Sequence, residues 1–147
     1  MKIRKGVKTD LPRVLELIKE LAEYEKGLDQ VSNTVDMMEK DGFGDHPIFG
    51  FFVAEHEKII GISLYYFRYS TWKGKRLYLE DIIVTKKERG KGIGKLLFDA
   101  TIDHGKESNC TGMTWQVLDW NTSAINFYEK YYKADLDGEW INCSIEW

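Results

Sequence analysis

The chain has 147 residues, 43% of them hydrophobic and 31% charged, with a formal net charge of -3. That length and apolar content suit a single domain spanning 1–147 with one sizeable core, and the acidic balance argues against nucleic-acid binding, which needs a basic face. No apolar run reaches the roughly 20 residues that cross a bilayer, and the charged start Met1-Lys2-Ile3-Arg4-Lys5 leads into no signal-like segment, so a cytoplasmic protein without membrane contact is expected.

In chain order, Met1 to Val7 reads as a first strand. Thr9 or Asp10 then caps a helix with Pro12 in its first turn, and Leu11, Val14, Leu15, Ile18, Leu21 and Ala22 recur at helical spacing as its buried stripe. Asn33-Thr34 caps a shorter helix through Met37 and Met38 that ends before Gly42. Phe49 to Glu55 and Lys58 to Tyr69 read as strands joined at His56-Glu57, and a turn at Lys73-Gly74 returns the chain into Arg76 to Val84, giving three successive antiparallel strands. A glycine-rich turn follows. Ile93, Leu96, Leu97 and Ala100 then line one face of a helix ending near Gly105, Met113 to Leu118 forms a strand, Thr122 to Tyr131 a helix, and Trp140 to Ile145 a last strand.

The turn Arg89-Gly90-Lys91-Gly92-Ile93-Gly94 between strand and helix is the strongest functional signal. The first turn of a helix leaves backbone N-H groups without partners and carries partial positive charge, and glycines let that backbone approach an anion closely. The dinucleotide fingerprint needs a glycine where Lys95 stands, and the nucleoside-triphosphate loop needs a Gly-Lys-Ser/Thr ending that is absent. The remaining pattern, Arg-x-x-Gly-x-Gly, resembles the acetyl-CoA pyrophosphate loop of the Gcn5-related N-acetyltransferases. Leu77-Tyr78-Leu79-Glu80-Asp81-Ile82-Ile83-Val84 before it and Trp120-Asn121-Thr122-Ser123-Ala124-Ile125-Asn126-Phe127-Tyr128 after it are similar to the diamine acetyltransferase branch. Matching segments also include Lys19 to Glu25, Asp41 to Pro47 and Tyr65-Tyr66-Phe67, so the likeness runs from about Ile3 to Trp140.

The resemblance implies an α/β (α+β) fold, a mixed and mostly antiparallel twisted sheet flanked by helices on both faces. It implies acetyl-CoA as co-substrate, a small-molecule amine as acceptor and a homodimer. The coenzyme would be held by backbone near Ile82, Ile83 and Val84, by Arg89, Gly90, Lys91, Gly92, Ile93, Gly94 and Lys95 at the pyrophosphate, and by Asn121, Ser123 and Ala124 along the pantetheine arm. Lys95 has a plain alternative as a surface helix lysine, and Asn121 as a helix cap.

Acetyl transfer needs an amine with its lone pair free, and deprotonating an alkylamine of pKa near 10.4 at neutral pH costs about 4 kcal/mol. A carboxylate can hold the ammonium form and take its proton. Glu80-Asp81 within an apolar strand suits that role, although alternation puts the two on opposite faces unless a bulge rotates the strand, and solvated charges on an edge strand are the plain alternative. The resemblance assigns the base to Glu80 and the acid that protonates the departing thiolate to Tyr128; by spacing alone Tyr128 equally fits an aromatic core stripe with Ile125, Phe127 and Tyr131. Tyr24, Glu25, Trp115 and Gln116 match substrate-contact positions, and Glu139 is a candidate to replace a family glutamate. Ser70 stands where the spermidine/spermine enzymes carry an aspartate, and Ser70-Thr71-Trp72-Lys73-Gly74 looks closer to the thialysine-acetylating sister branch. A peptide-lysine acetyltransferase or a non-catalytic acyl-CoA-binding module are the rival readings. His46, His56 and His104 lie on separate segments and Cys110 and Cys143 are too few for a metal centre, so no metal is expected.

Overall fold

The computed structural model describes residues 1–147. Strands β1 (Lys2–Lys5), β2 (Gly50–His56), β3 (Lys58–Ser70), β4 (Gly74–Val84) and β5 (Met113–Trp115) form one sheet in the order β1-β2-β3-β4-β5. The first four are antiparallel to their neighbours, whereas β5 runs parallel to β4. The hairpins fall where turn chemistry places them, with Glu57 at φ 64 and Gly74 at φ 89. Helices α1 (Leu11–Tyr24), α2 (Val35–Phe43), α3 (Ile93–Glu107) and α4 (Thr122–Tyr132) complete the mixed α/β architecture.

The chain divides into two units, Met1–Trp115 and Gln116–Trp147. In the first, strand alternation sorts side chains onto two faces. Leu11, Val14, Leu15 and Leu17 of α1 and Met38 of α2 pack with Phe51, Val53, Ile62, Leu64 and Ile83 on one face. Ile93 and Leu97 of α3 pack with Ala54 and Ile60, flanked by Phe52, Ile82 and Val84, on the other. The second layer carries one buried polar pair. Thr101 donates to the Leu97 carbonyl at 2.8 Å, so the 2.8 Å contact between Ser63 and Thr101 has Ser63 as donor, and both hydroxyls are satisfied without water. The second unit contributes α4 and a C-terminal segment.

Several expected boundaries move for local reasons. Leu96 is 45% exposed, because at about 100° per residue it falls outside the buried arc that runs through Ile93, Leu97, Thr101 and Gly105. On α1 the fully buried position that the expected stripe omits is Leu17. Gly42 does not stop α2: it lies inside the helix, where a Cβ would stand 2.5 Å from the Phe49 ring, so it is a packing glycine. The strand expected from Met113 to Leu118 stops at Trp115, where pairing with β4 ends. The last strand expected over Trp140 to Ile145 is not formed; period-two alternation without a neighbouring strand to pair with leaves Trp140, Ile141 and Ile145 exposed.

Both proposed starts of the early helices are informative. Thr34 accepts from Met37 N at 3.1 Å, the cap that its sequence position suggests. Asp10 behaves differently. Its carboxylate accepts from Val7 N at 2.8 Å and from Arg4 at 2.8 and 3.0 Å, while Arg4 also reaches Glu55, tying β1, the turn into α1 and β2 together. Arg4 holds the Asp10 carboxyl below its ordinary range. A depressed carboxyl pKa stabilises the fold above the unfolded value and loses that contribution as pH falls through the folded one. Asp10→Asn is therefore expected to lower stability at neutral pH by about 2 kcal/mol, with the gap between mutant and wild type narrowing in acid; chemical denaturation at both pH values checks it.

Candidate active site

The site is organised by a fault in one strand pairing. Along β3 and β4, Leu64 faces Asp81 and the next residue, Tyr65, faces Leu79, which leaves Glu80 without a partner as the extra residue of a β-bulge. Simple alternation would send Glu80 and Asp81 to opposite faces. The bulge resets the alternation instead, so that Asp81 lies with Leu64, Ile62 and Ile83 on the α1 side, and Tyr78 and Tyr66 continue that same side. Their rings stack at 5.1 Å between centroids with a 34° tilt.

Asp81 keeps a little exposure as a residue, but its carboxyl is enclosed. Burial raises its pKa to about 7, and the nearby charges of Glu80 and Glu25 add to the rise. Glu25, just past the end of α1, has its own pKa raised by the partial enclosure of its carboxyl. Burial and the Glu80 charge likewise raise both Tyr66 and Tyr78, keeping those phenols neutral. Three acids from two elements thus converge on one place, which is an arrangement that favours a bound cation.

From the bulge, β4 runs directly into the glycine turn. β5 pairs with β4 only over Leu77 to Leu79, while β3 continues to Val84, so one edge of β4 from Glu80 through Ile82, Ile83 and Val84 has no strand beside it. Its backbone groups are available to an extended ligand arm. Glu20 of α1 fixes the turn's start, accepting from Thr85 Oγ1 at 3.1 Å and Lys86 N at 2.8 Å. Arg89 folds back, donating from Nε to the Val84 carbonyl at 2.9 Å, with its guanidinium 3.9 Å from Glu20 and 5.6 Å from the Tyr24 ring centroid. Arg89 is thereby a clamp on the loop as well as a local positive charge.

Gly90 and Gly92 adopt φ 79 and 84, the left-handed region that side chains rarely enter, and nothing lies within 4 Å of where a Cβ would project at either. Gly92 is the N-cap of α3 and offers no side-chain cap, so the first N-H groups of the helix gain no side-chain partner from it. Lys91 pairs with Glu88 at 2.8 Å within the turn, whereas Lys95 pairs with Asp99 at 2.9 Å one turn along α3. The open edge, the two left-handed glycines and the uncapped helix start fit a pyrophosphate carried on a long flexible arm.

Trp115 closes β5 and meets Phe98 edge-on at 5.1 Å. In the second unit, Asn121 accepts from Ala124 N at 3.2 Å as the cap of α4, with Ser123 exposed in its first turn. Tyr128 is 7% exposed on α4, its ring 5.6 Å from Phe127. Gln116 donates to Asn142 at 2.8 Å, and Glu139 is exposed, its own N-H donating to Asp137. The first unit therefore brings together Tyr24, Glu25, Glu80, Ile82 to Val84 and the loop through Lys95, while Gln116, Asn121, Ser123, Ala124, Tyr128 and Glu139 stand in the second. Sequence reasoning did not single out Glu20 or Tyr78 and Tyr66 as a pair; the one signal available was their place inside segments already matched as Lys19 to Glu25, Leu77 to Val84 and Tyr65-Tyr66-Phe67.

Comparison with known proteins bears on the family and the fold. Residues 12–132 match the model of the acetyltransferase (GNAT) family. The chain is 39% identical to thialysine N-epsilon-acetyltransferase of Bos taurus over 91% of its own length and 84% of that protein's. It is 37% identical over 93% of its length to a spermidine/spermine N(1)-acetyltransferase-like protein of Homo sapiens, of which the match covers 21%. A mutant protein of Bacillus halodurans of known crystal structure superposes with a TM-score of 0.81 at 22% identity, covering 99% of this chain and 100% of that one, and so shares the fold.

A carboxyl whose folded pKa is raised stabilises the protein below its unfolded pKa and loses that contribution as pH rises through the folded value, about 7 for Asp81. Asp81→Asn is accordingly expected to melt at a higher temperature than wild type at about pH 8, with the advantage shrinking toward about pH 4. Thermal melts at the two pH values check the sign.

Proposed function

The chain belongs to the acetyltransferase (GNAT) family, and from that membership we propose how its residues divide the work. It is an acetyl-CoA-dependent N-acetyltransferase that acetylates a primary amine of a small molecule. The observation that best supports a division of labour is the continuity of β4: the acidic bulge at Glu80-Asp81 and the unpaired edge leading to the glycine loop lie on one strand. An acceptor amine at the bulge is then a few residues from a coenzyme arm laid along that edge.

In this reading the acetyl-CoA thioester supplies the acyl group, and the chain supplies orientation and proton transfer by direct attack, with no covalent enzyme intermediate. Backbone of Ile82, Ile83 and Val84 holds the arm; Arg89, Gly90, Lys91, Gly92, Ile93, Gly94 and Lys95 hold the pyrophosphate; Asn121, Ser123 and Ala124 add contacts from α4. Tyr24, Glu25, Trp115, Gln116 and Glu139 line the acceptor side. Glu80 acts as base toward the amine, with the enclosed Asp81 carboxyl beside it as the neighbour that tunes it. Tyr128 gives its phenolic proton to the departing thiolate. We place the whole chain as one acetyltransferase domain working as a cytoplasmic homodimer, as the family resemblance implies.

Thialysine-like amino acids or short diamines are the leading acceptors. Ser70 carries no charge for a long polyamine; its hydroxyl accepts from Trp72 N at 3.2 Å and Lys73 N at 3.1 Å, serving the turn between β3 and β4. Steady-state assay against thialysine, lysine, short diamines, spermine and a lysine peptide tests the reading. A higher kcat/KM for thialysine or a short diamine than for spermine is expected, whereas preference for the peptide would favour a protein acetyltransferase.

Two substitutions separate coenzyme binding from chemistry. Gly92→Asp forces a left-handed φ of 84 onto a side chain and adds negative charge at the loop, so calorimetry should find weakened acetyl-CoA binding in a folded protein. Tyr128→Phe keeps the ring and its packing, so kcat should fall by about 10²- to 10⁴-fold with coenzyme affinity nearly unchanged. Turnover close to wild type in the second variant would remove Tyr128 from the mechanism.

A further inference from the structure

The face of the sheet that carries Asp81 also carries a cation. Along β3, Leu64, Tyr66 and Arg68 share one side, and across from them on β4 stand Asp81, Tyr78 and Arg76. Most arginines of the chain are engaged: Arg4 and Arg13 reach carboxylates, Arg89 folds onto Val84 and Glu20, and Arg76 reaches Thr111. Arg68 is different. Its side chain is exposed, enters no ion pair, and lays its guanidinium 5.5 Å from the centroid of the Tyr78 ring, a cation on the aromatic face. The charge of Arg68 acts on both Tyr66 and Tyr78, which also feel the opposite charge of Glu80. The stacked tyrosines therefore lie between an acidic end and a basic end.

The separation has a natural ligand chemistry. Arg68 lies four residues beyond Leu64, the partner of Asp81, which at the strand rise is about 13 Å. An extended ω-amino acid, about 7 Å from its terminal ammonium to its carboxylate, spans that gap with an ion-pair contact of about 3 Å at each end. A diamine would place its second ammonium near the guanidinium, a like-charge contact that selects against it. Arginine's planar fork, in turn, matches a carboxylate with two parallel N-H donors.

We propose that Arg68 is a specificity-determining residue of the acceptor site, receiving the α-carboxylate of an ω-amino acid whose side-chain ammonium lies against Glu80, Asp81 and Glu25. This rests on the acceptor site proposed above and narrows its substrate class to amino acids that carry a terminal amine. The Tyr66-Tyr78 pair forms the apolar wall along which the methylene chain lies. No bond is made or broken at Arg68; it selects by charge and by bidentate geometry.

Matched acceptors that differ only by the carboxylate test this: lysine against cadaverine, and ornithine against putrescine. Wild type should show the higher kcat/KM for the amino acid of each pair. Arg68→Met keeps much of the aliphatic stem and removes the fork, and should lower the ratio of amino-acid to diamine kcat/KM by about tenfold or more. Arg68→Lys should restore part of that ratio, since it returns the charge without the fork. Thermal melts of both variants confirm the fold, and Arg68→Gln serves as a replacement should Arg68→Met be unstable. A ratio unchanged in the charge-removing variant, while wild type acetylates both members of a pair, overturns the role of Arg68 and leaves the acceptor site standing. A wild-type protein that binds acetyl-CoA yet acetylates none of the four amines overturns the acceptor site itself, and this inference with it.

Discussion

One unpaired residue in β4 sets the geometry on which the site depends. Without the extra residue at Glu80, the alternation that puts Ile83 and Asp81 on the α1 side would put Leu79 there too and turn Tyr78 away. With it, the acidic and aromatic residues share a side, and Leu77 and Leu79 remain fully buried on the other. A bulge is costly in ladder hydrogen bonds, and strands keep one where it aims side chains. Here it holds a carboxyl in a desolvated position between two other acids, and desolvation is what lifts Asp81 to about 7.

That lift bears on the chemistry. Moving a proton from an alkylammonium of pKa about 10.4 to an ordinary aspartate near 3.9 is uphill by about 9 kcal/mol, whereas to a carboxyl near 7 it is uphill by about 5. The same desolvation that makes Asp81 a burden on the fold above neutrality makes its carboxylate a stronger proton acceptor than an ordinary aspartate. Along the rest of β4 and the turn after it the exposed features are mainly backbone: a strand edge left bare where β5 ends, two glycines in the left-handed region, and a helix start capped by a residue with no side chain. Glu20 and Arg89 lock this loop to α1 and to Val84, so its shape is set by side-chain bonds as well as by its glycines.

Much of this was legible in the sequence, and the rest failed for identifiable reasons. The hairpins β2-β3-β4, the Thr34 cap and the glycine loop followed from local rules of period two, side-chain capping and backbone freedom. The pairing of Asp81 with Leu64 in place of Tyr65 did not, because a register fault involves two strands and leaves no mark in either alone. Asp10 illustrates the same limit: it sits where a cap belongs, but Arg4 and Val7 claim its carboxylate. The expected strand from Trp140 to Ile145 had the right alternation and no ladder to join. No sequence pattern singles out Arg68; its place on the side of the acids follows from the reset alternation of β4.

The site depends on Asp81 being an enclosed carboxyl that Glu80 helps to keep protonated. Carbon-13 NMR titration of the Asp81 side-chain carboxyl in the free protein measures this directly, with Glu80→Gln as the paired sample. Titration near pH 7 is expected in wild type, with a lower midpoint once the neighbouring charge is removed. A midpoint in the ordinary aspartate range near 3.9, unmoved by Glu80→Gln, would contradict it.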